Sequence, residues 1–136
     1  MPGAFTDYLN NKLLDVVLGG TPFVGPSTLF VGLSITPSNK GGIINEPSTG
    51  IGYSRVAVAN TPTNFPASIN GSKSNANPIA FPTPTGAWGN VVAVFLADAN
   101  TGGNILAMAD LSVPKAITVG APSPTIAASA LYLSHT

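Results

Sequence analysis

Residues 84–111 read PTGAWGNVVAVFLADANTGGNILAMADL, and this stretch decides the fold. Trp88, the only tryptophan, opens a run in which Val91, Val92, Ala93, Val94, Phe95 and Leu96 leave neither face polar. The run is far shorter than the roughly 20 residues that a membrane-spanning helix needs. Its β-branched and aromatic content favours a strand covered on both sides. Turn formers follow, Asp98-Ala99-Asn100-Thr101-Gly102-Gly103-Asn104, two of them glycines that take positive φ without strain. Residues 105–111 return as a second strand, with Ile105, Ala107, Ala109 and Leu111 on one face and Leu106, Met108 and Asp110 on the other. The stretch predicts a β-hairpin at the centre of a sheet, with a loop of about five to seven residues. Trp88, Val92, Val94, Phe95, Leu96 and Ile105, with Leu33 and Leu131, are the predicted core.

Toward the N-terminus, residues 4–18 (AFTDYLNNKLLDVVL) predict the single helix. Phe5, Leu9, Leu13, Val16 and Val17 recur at spacings of three and four, and Tyr8 and Leu14 widen the stripe. Thr6 or Gly3 is placed to cap the start, Asp7 suits the positive end of the dipole, and Gly19-Gly20 ends the helix. A helix of this length is marginal alone, so its stripe must dock on the sheet or on a neighbouring subunit.

Residues 28–35 read as a strand with Leu29, Val31, Leu33 and Ile35 inward, and 53–59 as a strand alternating Val56 and Val58 against Tyr53, Arg55 and Ala57. Between them, residues 36–52 (TPSNKGGIINEPSTGIG) form a loop long for a compact domain, which marks it as functional or subunit-contacting. A short edge strand is expected near 65–69, another at 78–81 between prolines, and further strands at 115–119 and 125–133. The expected fold is mainly β: an antiparallel β-sandwich, jelly-roll-like, of about seven or eight strands with one N-terminal helix, as a single domain over 1–136.

Charged residues are 7% of the 136-residue chain, against roughly 25% in an ordinary soluble domain. Lys12, Lys40, Arg55, Lys73 and Lys115 balance Asp7, Asp15, Glu46, Asp98 and Asp110. Scattered charges of zero sum leave no basic patch for nucleic acid or for a membrane surface. Zero net charge also promotes association, so the composition suits a protein packed against neighbours. With no cysteine there is no disulfide, thiolate or Cys-based metal chemistry. Residues 1–20 lack the basic start and unbroken apolar core of a signal peptide, which predicts folding in a cytoplasm.

The chemical inventory is thin, and the expectation is no catalytic, cofactor or metal residues. His135, the single histidine, is penultimate, where chains fray. Asp98, Asp110 and Glu46 lack calcium-loop spacing, and local Asx hydrogen bonding accounts for Asp98-Ala99-Asn100 better than a weak cation site does. No phosphate loop or Gly-x-Ser-x-Gly occurs. Arg55 reads as a residue of a solvated sheet face or a contact to a neighbouring chain rather than as a buried ion-pair partner.

DYLNNKLLDVVLGGTPFVGPSTLFVGLS (7–34) resembles the opening of short phage tail-fibre-like structural proteins, where a helix ending in Leu-Gly-Gly leads into a Pro-x-Thr-hydrophobic strand. GIGYSRVAVAN (50–60) resembles their Gly-Gly-Tyr-x-Arg-Val-x-Val segment. Residues 81–120, from FPTPTGAWGN through DANTGGN to VPKAITVG, resemble their Phe-Pro-x-x-Thr-Gly-x-Trp-Gly and Asp-Ala-x-Thr-Gly-Gly-Asn block, which is followed by Leu-x-x-Pro-Lys. Residues 36–52 and the segment after Pro122 have no counterpart in that pattern. The resemblance implies a non-enzymatic virion structural protein of the tail, baseplate or fibre, with itself and other virion proteins as partners. A capsid decoration protein and a carbohydrate-binding β-sandwich are the alternatives. A sugar platform exposes several aromatics, however, and Tyr53, Phe65, Trp88 and Tyr132 lie mostly in strand contexts that bury them.

Overall fold

A computed structural model describes residues 1–134. In chain order they form β1 (Pro2–Phe5), α1 (Asp7–Val17), β2 (Thr28–Ser34), β3 (Val56–Ala59), β4 (Ser72–Ser74), β5 (Ile79–Ala80), β6 (Gly89–Ala97), β7 (Ile105–Ile117), β8 (Thr125–Ile126) and β9 (Tyr132–Ser134). The fold is mainly β with one N-terminal helix, as the sequence predicts. Seven strands make one curled sheet in the order β3-β2-β6-β7-β1-β9-β4, and β5 pairs with β8 as a separate ribbon. Every pairing is antiparallel except that of β1 with β9.

The hairpin β6–β7 occupies the centre of the sheet, joined by the Asp98–Asn104 turn in which Asp98 Oδ1 accepts the Asn104 N–H at 2.8 Å. Alternation puts its side chains on two faces, and both are buried. On one face Val94, Leu96, Ala107 and Ala109 join Val31, Leu33, Trp88 and Leu131, and Ile79, Phe81 and Ile126 of the ribbon segments close over them. On the other face Ala93, Phe95, Ala97 and Met108 pack together, with Ile44 of the 36–52 loop and Ile105 half-buried against them. Gly32 lies under the Phe95 ring, where a Cβ would stand 2.2 Å from a ring carbon. Of the predicted core, only Val92 and Ile105 are less than fully buried.

Pairing overrides local pattern in several places. The helix starts at Asp7, not at residue 4, because residues 2–5 pair with β7 and β9 as a strand. Phe5 therefore leaves the helical stripe and packs on the core from β1. Thr6 occupies the N-cap position, yet its hydroxyl donates to the Ile105 and Leu106 carbonyls instead of capping the helix. The strand expected at 115–119 is the far end of β7, which continues through Pro114 where its register against β6 shifts. Such an irregularity is where a sheet tolerates proline. No strand forms at 65–69; the edge strand is β4, entered by an Asn70-Gly71 turn whose positive φ angles of 53° and 74° suit a two-residue hairpin. The expected 125–133 strand divides into β8 and β9, which pair in different sheets.

Candidate functional site

Each of the three carboxylates considered as cation ligands holds a different partner. Asp98 binds its own turn, Oδ2 accepting the Asn104 side-chain amide at 2.9 Å. Asp110 accepts the Ser38 N–H at 2.8 Å and the Ser38 hydroxyl at 2.6 Å. Glu46 holds Arg55. Among the described residues no three His, Asp or Glu side chains come together. His135 lies outside the described residues.

Arg55 corrects the sequence expectation: it is a buried ion-pair partner and not part of a solvated face. Its side chain is 3% exposed and its Nη2 stands 2.7 Å from Glu46 Oε1. Nη1 donates to the Ala99 carbonyl at 2.7 Å and to the Gly102 carbonyl at 2.9 Å, and the guanidinium carbon sits 5.0 Å from the centre of the Phe95 ring. A planar fork of donors suits this position, since one side chain reaches a carboxylate and two carbonyls at once. Tyr53 completes the cluster. Its hydroxyl donates to Glu46 Oε2 at 2.6 Å and accepts the Leu33 N–H at 3.0 Å. Burial first, and the hydrogen bond to the Glu46 carboxylate second, push the Tyr53 phenol well above its ordinary range. The Tyr53 ring meets Trp88 edge to face at 5.3 Å, and the Trp88 indole N–H donates to the Ile51 carbonyl at 2.7 Å. This constellation fastens the 36–52 loop to the hairpin turn.

The same holds along the rest of that loop. The Ile35 N–H donates to the Asn45 carbonyl, the Asp7 N–H to the Lys40 carbonyl, and Asn39 bonds to Ile43 through both its amide atoms. The loop covers one face of the hairpin.

The helix behaves differently. None of its residues is buried, although it lies against β7 and β1. Tyr8, Leu9 and Leu13 are half-buried, whereas Leu14 is 53% exposed, Val17 77% and Leu18 73%. Lys12 lies over the Tyr8 ring, 5.6 Å from its centre. The helix ends as predicted, with the Leu18 N–H on the Leu14 carbonyl and Gly19 and Gly20 at positive φ. Its last turn holds no base. Val24, in the connection to β2, is 88% exposed.

A second apolar feature was not legible in the sequence. Phe5, Leu29, Phe65, Leu131 and Leu133 floor a groove of about 360 Å³ with Lys73 at its rim. Leu29 belongs to β2 and Lys73 to β4, far apart in the strand order, so the groove exists only because the sheet curls. Of the four aromatics considered for sugar stacking, Tyr53 and Trp88 are buried, Phe65 is half-buried in this groove, and Tyr132 is exposed. They form no shared platform.

Three features thus stand out: a polar cluster that bonds to the chain's own loop, an exposed helix end and an apolar groove. No curated protein matches the chain. The family profile described as podophage GP4 fiber I protein gp80 matches residues 4–134, from the first sheet strand through β9. The chain belongs to that phage fibre family.

Proposed function

We propose that this protein is a non-enzymatic structural component of a phage tail fibre, which works as a single domain by assembling with copies of itself and with neighbouring virion proteins. The observation that carries the reading is the uncovered end of α1. Leu14, Val17, Leu18 and Val24 are more than half exposed on a chain in which only 7% of residues are charged. Scattered apolar residues on a surface are ordinary. Val17 and Leu18, however, lie three and four positions after Leu14 at one helix end, so the three adjoin, and an adjoining apolar patch marks a contact site. The family supports a place in the virion and contact with other virion proteins. The ionisable groups support a non-enzymatic role, because Glu46, Asp98 and Asp110 each have a structural partner.

Light scattering well above micromolar concentration tests the reading. The wild-type chain should assemble, and Val17→Asp with Leu18→Asp should remain a folded monomer. Deleting residues 1–20 is a poor substitute, since it removes β1 from the sheet. A wild-type chain that stays monomeric at every concentration would defeat the proposal.

A further inference from the structure

The geometry points to one contact in particular: the apolar end of α1 from one copy seats in the groove between Phe65 and Lys73 of a second copy. This rests on the assembly reading above and names the surface that receives the helix. Laying an apolar helix face into a hydrophobic groove is a common mode of recognition. Here both halves are on one chain. The helix offers Leu14, Val17 and Leu18, and the groove offers Leu29, Phe65 and Leu133.

Charge selects this pairing over helix against helix. The last turn of α1 holds no base, so the negative end of the helix dipole is uncompensated. Asp15, exposed beside it, makes no ion pair among the described residues. Two such ends brought side by side add like charges. The groove has the opposite sign, because Lys73 is the one charged residue of its lining, is exposed, and makes no ion pair among the described residues.

Area points the same way. The few hundred Å² of apolar patch that a soluble chain ordinarily exposes falls short of the roughly 800 Å² per partner of a standard interface. A contact between helix ends uses only that one patch of each copy. Helix into groove lets each copy bury two apolar surfaces, one as donor and one as receiver. Contacts between two different surfaces close as pairs or rings or propagate as filaments.

Four exposed substitutions test the contact without touching the core. Ser68→Trp fills the groove and Val17→Asp spoils the helix end. Each variant alone should stay monomeric, by light scattering, at concentrations where the wild type assembles. Mixed one to one, at concentrations well above those at which the wild type assembles, they should form a species of two chains held by a single helix-into-groove contact, because each retains one intact surface. Lys73→Glu should weaken assembly at least tenfold, and adding Asp15→Lys to the same chain should restore it. Circular dichroism and melting should show every variant folded. Wild-type assembly undisturbed by Ser68→Trp, or a mixture that stays monomeric, would overturn this contact and leave the assembly reading standing. A wild-type chain that never assembles overturns both.

Discussion

Two stretches of this chain carry apolar residues at regular spacing, and they meet opposite fates. In the hairpin, residues 91–97 and 105–109 are covered on both faces: the ribbon segments close one side, and the 36–52 loop closes the other. In α1 the stripe is met on one side only, by β1 and β7, and its C-terminal end stands open. The loop, with Pro, Gly and Asn throughout, gives its hydrogen bonds to its own chain. The helix, which has the clearest periodicity, keeps apolar surface in reserve. A regular pattern states that a face will be buried, and only the rest of the chain decides whether that happens within one copy.

The largest test sets the same substitution at two valines. Val94 is 1% exposed at the centre of the sheet, with Leu33 opposite it on β2 and Ala109 on β7. Val94→Asp buries a carboxylate that has no partner, at a cost of several kcal/mol. A domain has only about 5–15 kcal/mol of stability to lose. The variant should fail to fold, and a soluble Val94→Asp protein with a cooperative melt would refute the central position of β6.

Next comes the fastening of the loop. Glu46→Ala removes the carboxylate and leaves the Arg55 guanidinium buried with only the Ala99 and Gly102 carbonyls. Removing one partner of a buried pair costs about 3–5 kcal/mol, and the lower figure applies here because the Glu46 side chain is 25% exposed. Urea melts should show that loss. They should also show far less of it when Arg55→Met is introduced into the same chain, since no charge is then stranded. An Arg55→Met, Glu46→Ala double variant as unstable as the sum of the singles would mean that the two residues act separately.

How much of this was readable beforehand follows from which forces act locally. The hairpin was legible because its strand content, its length and the turn at Asp98–Asn104 all agree within one stretch. β1 was not, because Phe5 lies four residues before Leu9 and extends the helical period, whereas its strand partner is a hundred residues away. β4 and β9, three residues each, are set by tertiary pairing and leave no periodicity. The Arg55–Glu46 pair spans nine residues through an irregular loop, so the alternation of the following strand suggested a solvated face instead. The groove is a product of sheet curl and has no linear signature at all.

Tyr53 supplies a smaller effect, one of pH. Its folded-state pKa is raised, so the folded state holds the phenol proton where the unfolded chain releases it. Its contribution is intact below the unfolded value of about 10 and is lost as pH climbs past it. Stability should therefore fall on the alkaline side, and Tyr53→Phe should flatten that fall while lowering the plateau through the lost bonds to Glu46 and Leu33. Equal alkaline slopes for the two proteins, in melts between neutral and strongly basic pH, would show that Tyr53 ionises freely.

The smallest expected change in stability belongs to the helix end. Val17 is 77% exposed and belongs to neither core cluster. Surface substitutions of this kind stay within about 0.5 kcal/mol. Asp at position 17 adds one charge near the negative helix end, a further penalty of about 0.3–1 kcal/mol at low salt. Val17→Asp should then melt close to the wild type as a monomer, where Val94→Asp does not fold. At high concentration the two proteins should part: the wild type gains stability with concentration, because association stabilises the folded state by mass action, and Val17→Asp does not. Melting temperatures that rise equally with concentration in both proteins would place the assembly contact somewhere other than α1. A Val17→Asp loss of several kcal/mol in dilute solution would show instead that the chain already covers that face itself.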